Sequence, residues 1–415
     1  HVYGQQTDSP LNDLIDEFNN TIGAKEGIRI KVTNVSNTSE IHEAVLRCAN
    51  NEPGAGALPD LFISYPKTVV AMSDRDILVD FNDYFSEEEL GEYTSEFIDE
   101  GRIDDRLLVF PVAKSTEIMF VNKTLFDRFK DECNVSYEDL TTWESLLAVC
   151  ELYYKWTDDM TPDIEKDGKS MLVHDYWFDY FQVGVTSLGD EFFSEDGVKT
   201  GDTFKRAFDT MSGAAVTGGV WLKEGFATEP LRTGDAIVSV ASSASVLYYD
   251  DKVTYSDNSS EDVEIIAMPA PFFEDGKKLV MQRGAGMCMV KSDKKKEEAG
   301  VRFIKWLTEP ETNLRFVTAL GYMPVTDKAF EELPKACEEI ESPKYKSLYE
   351  AYVKTNEEYE YYNMPLLDYY LDTESMFESE LRSIFRGAYE KYDGNNLVML
   401  ENDSYKRLKD SLKSR

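Results

Sequence analysis

The chain has 415 residues, 42% of them hydrophobic and 30% charged. That length exceeds what one hydrophobic core usually serves, so two domains are expected, and the balance is that of a folded chain rather than a disordered one. Lysine and arginine number 44 against 79 aspartates and glutamates, a net charge of −35. Such a field repels nucleic acid and anionic lipid surfaces, and it reads as a solubility device. No run of 18 apolar residues is present to span a membrane. Three histidines, and five cysteines (Cys48, Cys133, Cys150, Cys288, Cys337) with no CxxC or Cys/His cluster, give no reason to expect a metal. The odd, widely spaced cysteines point to free and mostly buried thiols, with room for one bridge at most.

The predicted elements begin after Ser9-Pro10. Leu11, Leu14, Ile15, Phe18 and Ile22 have helical spacing, with Ser9 as N-cap and Pro10 at the first helical position. Ile28, Ile30 and Val32 alternate as a strand, residues 40–50 read as a second helix, and the apolar run PDLFISY (59–65) reads as a buried parallel strand. This alternation predicts an α/β domain. Strands are then expected over 107–112, 117–122, 236–241, 265–268 and 284–290, and helices over 143–156, 204–211 and 294–307. Residues 344–386 are mostly helical in pattern. No repeat or flexible linker separates two domains, so the chain is expected to cross between them more than once.

No GxSxG elbow, HExxH, P-loop or GxGxxG is present. A glycosidase needs two carboxylates at a defined separation, but among 79 acids candidate pairs carry no information. The residues therefore give no reason to expect an enzyme or a cofactor.

Several segments taken together resemble the maltose-binding-protein type of bacterial ABC-transporter solute-binding proteins. They are the opening helix followed by IRIKV, PDLFISY followed by DILVD, FPVAKSTEIMFVNKTLF, Thr142-Trp143-Glu144, and Gly234-Asp235-Ala236-Ile237 running into VASSAS. The last stretch runs from IIAMPAP through QRGAGM to FIKWLTEP and LGYMPVT. Within that family Ser242-Ser243-Ala244-Ser245, Arg283-Gly284-Ala285-Gly286 and GYMPVT (321–326) are most similar to binders of glycerol phosphate and sugars. The resemblance implies a two-lobed periplasmic-binding-protein fold (type II). Each lobe would be a mostly parallel sheet flanked by helices, with a hinge of three crossings near 112–114, 269–271 and 322–326. The lobes would be 1–112 plus 272–323, and 113–271 plus 324–415. It further implies an extracytoplasmic monomer, lipid-anchored at the cell surface through a cysteine preceding His1 or free in a periplasm. Such a protein would hand a carbohydrate or polyol from the interlobe cleft to an ABC permease and its ATPase by hinge closure. A glycerol phosphate or glycerophosphodiester is the alternative ligand, and a surface adhesin on the same fold is an alternative of another class.

Tyr65 ends a buried strand, where ligands of open α/β sheets bind, and it matches a ligand-contacting tyrosine of the glycerol phosphate binders. Ser115 and Thr116 offer short hydroxyls after the first crossing, while Lys114 reads first as a solvated lysine, with a charged hydrogen bond to ligand as the alternative. Ser242, Ser243 and Ser245 follow a buried strand and would line a site for anions or hydroxyls if a helix starts there. Gly284 lets backbone approach a ligand, Arg283 could hold an acidic group, and Tyr322 matches another ligand-contacting tyrosine of the relatives. The resemblance places a stacking aromatic at Trp177, with Trp221 second. Glu360, in YEYYNMP, stands where the glycerol phosphate binders carry an arginine, and a carboxylate there argues against phosphate.

Overall fold

The computed structural model describes residues 2–5, 9–35, 38–195 and 197–413. Two compact units are built from interleaved segments. The first comprises His1–Thr116, Gln282–Glu339 and Asn363–Asp368, and the second Glu117–Met281, Ile340–Tyr362 and Tyr369–Arg415.

The first unit holds a five-stranded sheet in the order Val32–Val35, Val2–Gln5, Leu61–Ser64, Gly286–Met289, Phe110–Pro111. The first three strands are parallel, and Gly286–Met289 runs antiparallel to both of its neighbours. Helix Thr38–Ala49 buries Ile41 and Val45 in one cluster with Phe62, Leu78, Leu108 and Cys288. Helix Lys294–Leu307 has the bounds its pattern predicts, because the Asp293 side chain accepts from the Lys296 amide and fixes its start. Its Phe303 and Trp306 pack on Phe18 of helix Ser9–Asn20 at 5.3 and 5.2 Å between ring centres. Strand Val2–Gln5, which no alternation announces, pairs on both edges.

The main sheet of the second unit runs Val220–Trp221, Leu172–His174, Val238–Ser242, Ser115–Asn122, Leu279–Arg283, Glu360–Tyr362, with Ile265–Pro269 also on Ser115–Asn122. The first three strands are parallel, and Ser115–Asn122 opposes Val238–Ser242 and Ile265–Pro269. Ser115–Asn122 is buried at all eight positions, which explains its apolar centre, IMFV. Helices Trp177–Ser187, Asp202–Thr217 and Tyr370–Lys391 share a core rich in aromatics: Phe181 lies 4.9 Å from Phe204, Phe178 5.3 Å from Phe377, and Phe208 5.3 Å from Phe385.

The chain passes between units at 116/117, 281/282, 339/340, 362/363 and 368/369. The first passage falls near the expected one. The second comes after the proline segment 269–271, because Ile265–Pro269 and then 279–281 are still paired inside the second unit's sheet. The third comes after 322–326, because Met323 and Thr326 bridge to Lys114 and Tyr93 and hold that segment in the first unit.

Among the described residues all five cysteines are free, Cys150, Cys288 and Cys337 being buried, and no group of His, Cys, Asp or Glu could hold a metal. Among the described residues no helix is long and apolar enough to cross a membrane.

Candidate functional site

In the second unit the parallel strands Val220–Trp221, Leu172–His174 and Val238–Ser242 are level, with Trp221 opposite Val173 and Val173 opposite Ser239. Their carboxyl ends therefore open on one edge, the edge where α/β sheets bind ligands. Each loop leaving that edge carries an exposed aromatic. Phe226, after Val220–Trp221, is 73% exposed; Tyr176, after Leu172–His174, 38%; and Tyr248, after Val238–Ser242, 57%. One such side chain is ordinary on a surface, but here the segments leaving three adjacent strands each carry one.

The loops are fastened. The Tyr176 amide donates to His174 Nδ1 at 3.1 Å, and the Asp175 amide to the Val240 carbonyl at 3.0 Å. Asp175 Oδ1 accepts from the Ala227 amide at 2.8 Å, tying the Tyr176 loop to the Phe226 loop.

Trp177, expected to stack on ligand, has no exposed surface. It is the first residue of helix Trp177–Ser187, and its ring meets His174 at 5.0 Å and Tyr180 at 5.6 Å. The exposed ring is Tyr176, one position earlier, because the helix starts at 177 and turns that residue inward. Trp221 is partly exposed, with Lys223 Nζ 4.5 Å from its ring centre.

Ser242, the last residue of its strand, is partly exposed; of the six-residue 3-10 helix that follows, Ser243–Tyr248, Ser243 is fully buried and Ser245 partly exposed. The serines at this edge are hydroxyl donors beside Tyr248 rather than the start of an anion-holding α-helix. Glu360 is exposed, pairs opposite Leu279, and meets Lys277 at 3.7 Å. That register sets it two residues before Tyr362, the last residue of the strand.

The first unit gathers the other expected residues. Gly286 pairs with Ser64 and with Pro111, and Arg283 with Ser115, while Lys114 bridges to Met323. Backbone pairing thus brings Arg283 opposite Ser115 and Lys114 opposite Met323, the neighbour of Tyr322, and sets Tyr65 one residue past the Ser64–Gly286 pair. Tyr65, Arg283 and Tyr322 are partly exposed, whereas Ser115 is 2% exposed and Thr116 buried, so those two hydroxyls face protein. The Tyr65 ring takes the edge of His42 at 5.0 Å. Burial, then the charge of Lys67, drives the His42 imidazole down to about 4 and keeps it neutral.

Lys114 is not solvated. It is 2% exposed, pairs with the enclosed Glu100, and donates to the Gly284 carbonyl at 3.0 Å. Gln282 Nε2 also donates to Glu100, at 2.8 Å. Gly284 has φ of +103°, and a Cβ there would stand 2.8 Å from the Ser115 amide nitrogen, so close backbone packing requires glycine. The sequence reading missed Tyr176, Phe226, Tyr248 and the Lys114–Glu100 pair. Their signal is positional, a place in the segment that leaves a strand or a charge between two buried strands, and it appears only once registers are known.

A family model described as bacterial extracellular solute-binding protein matches residues 13–347. The chain belongs to that family. This solute-binding protein also shares its fold with the cyclic α-maltosyl-1,6-maltose binding protein of Arthrobacter globiformis (TM-score 0.70, 17% identity, 100% of this chain and 98% of that one). UgpB of Mycobacterium tuberculosis, solved with glycerophosphocholine, gives a TM-score of 0.68 at 16% identity over 99% and 97% of the two chains. The substrate-binding protein Lmo0181 of Listeria monocytogenes, solved with cycloalternan, gives 0.68 at 14% identity over 100% and 99%. No curated protein sequence matches the chain.

Proposed function

We propose that this chain is the extracytoplasmic binding subunit of an ABC importer and captures a mono- or oligosaccharide on the aromatic edge of its second unit. The observation that carries the reading is that the segments leaving three adjacent strands carry the exposed aromatics Phe226, Tyr176 and Tyr248. Aromatic faces bury the apolar faces of sugar rings, and short hydroxyls such as Ser242 and Ser245 take the ring hydroxyls. Its structural likeness to binders of cyclic maltosyl and alternan saccharides supports the ligand class. The protein binds rather than transforms its ligand, and a permease with its ATPase would receive it.

The same set of aromatics favours a second reading. Aromatic rings also hold quaternary ammonium groups, so a glycerophosphodiester carrying a choline head would suit it.

The test is a thermal-shift and calorimetric panel of saccharides, polyols and glycerophosphodiesters. A ligand at 100 times its Kd adds about 2.7 kcal/mol, which moves the midpoint by about 3 °C for a chain of this length. Phe226→Ala is expected to weaken the responding ligand about 10-fold, or ~1.4 kcal/mol, consistent with the exposure of one aromatic face. A response confined to glycerophosphodiesters selects the second reading. Silence across the panel sinks both, and so does a bound saccharide indifferent to Phe226→Ala and Tyr176→Ala together.

A further inference from the structure

Arg382 lies on helix Tyr370–Lys391, facing the loops that carry Tyr176 and Phe226, and is 7% exposed. A buried guanidinium needs partners for its donors. Here one goes to a carboxylate and three go to backbone. Nε donates to Glu378 Oε2 at 2.9 Å, one turn earlier on the same helix. Nη2 donates to the carbonyls of His174 at 3.2 Å and Asp175 at 3.1 Å, and Nη1 to the carbonyl of Lys223 at 3.2 Å. The first two carbonyls immediately precede Tyr176, and the third lies three residues before Phe226.

Glu378 adds a fourth tie. Its Oε1 accepts from the Phe178 amide at 2.6 Å, at the start of the helix that follows Tyr176. That helix has no side-chain cap of its own, so a residue from another helix takes up one of its orphan amides. Tyr176 is thus held on both sides by one ion pair, and Phe226 is held from Lys223 and, through the Asp175–Ala227 bond, from the same loop.

We propose that Arg382 and Glu378 are positioning residues for the ligand platform, fixing the spacing of the Tyr176 and Phe226 rings without touching ligand. This rests on the reading that those rings form the binding edge. Lysine cannot replace the arginine, because an ammonium lacks the planar fork that reaches a carboxylate and two separate loops at once. A platform so held is ordered before ligand arrives, and binding then loses little to loop ordering.

The test compares Arg382→Lys with Ile384→Val, a mild core change on the same helix at a residue 1% exposed. Hydrogen exchange on the ligand-free protein is read at the amides of Tyr176, Phe178 and Ala227. Maltotriose affinity is read in parallel by calorimetry. Arg382→Lys is expected to lower protection at those three amides at least 10-fold and to weaken maltotriose at least 10-fold, while Ile384→Val changes neither selectively. Glu378→Gln, which keeps one acceptor, is expected to fall between wild type and Arg382→Lys, and it serves as the variant if Arg382→Lys does not fold. Unchanged protection at Tyr176 and Ala227 overturns the proposal whatever the ligand. So does selective loss of protection with wild-type maltotriose affinity. If the wild-type protein does not bind maltotriose, the carbohydrate reading for that probe fails, and the exchange data alone decide whether the pair sets the loops.

Discussion

At the scale of single residues, enclosure decides which charges matter. His42 is neutral because it is largely shut away beside Tyr65. Its folded pKa is about 4, below the 6.5 of an exposed imidazole, so between those values the unfolded chain binds more protons. Stability is then lost as pH falls through that window. His42→Gln should remove this part of the slope. Thermal midpoints of both proteins at pH 7 and pH 5 would check it, and a gap between them that does not change with pH refutes it. Lys114 and Glu100 form the opposite case, two charges shut in together. Lys114→Met leaves Glu100 buried with Gln282 alone, at a cost of about 3–5 kcal/mol by chemical denaturation, whereas adding Glu100→Leu should recover most of it. Neither partner of that pair was legible from composition, because a lysine between two strands looks the same in sequence whether it faces water or protein.

At the scale of elements, most of the fold could be read and its fine register could not. Helix Lys294–Leu307 was legible to the residue because its cap, periodicity and closing turn agree. The buried strands showed as apolar runs. Trp177 is buried although stacking was expected of it: in HDYWFDYF five of the eight residues are Tyr, Trp or Phe, and only the point where the helix begins decides which ring turns to water. The position of Glu360 opposite Leu279 was not legible, because a pairing register is not written in either strand alone. The turn at Gly284 is where an element depends on one atom. Gly284→Ala puts a Cβ against the Ser115 amide at positive φ and should cost about 1–3 kcal/mol. Gly394→Ala, also at positive φ but with open space around it, should cost less. A midpoint for Gly284→Ala no lower than for Gly394→Ala would refute the close-packing argument.

At the scale of the molecule, two units were legible from length and from the want of a linker, but the passages at 281/282 and 339/340 were not, since prolines mark extended chain without saying which sheet it joins. Strands Ser115–Asn122 and Leu279–Arg283 each have residues in both units. Unfolding either unit strips a strand end from the other, so a single calorimetric transition is expected, with equal calorimetric and van't Hoff enthalpies. Two resolved transitions would contradict this. Ending the chain at Glu339 should abolish folding of the second unit, because Phe377 and Phe385 leave its aromatic core.

The five passages also set a timetable. The first unit takes its last segment from residues 363–368, and the second from residues up to 415. Neither can close until nearly all of the chain exists. At a synthesis rate of roughly 5–20 residues per second, the growing polypeptide spends on the order of twenty seconds or more as an incomplete thread. A protein arranged in two sequential blocks would have folded its first half by then. This one is expected to stay pliable until its last segments have been made.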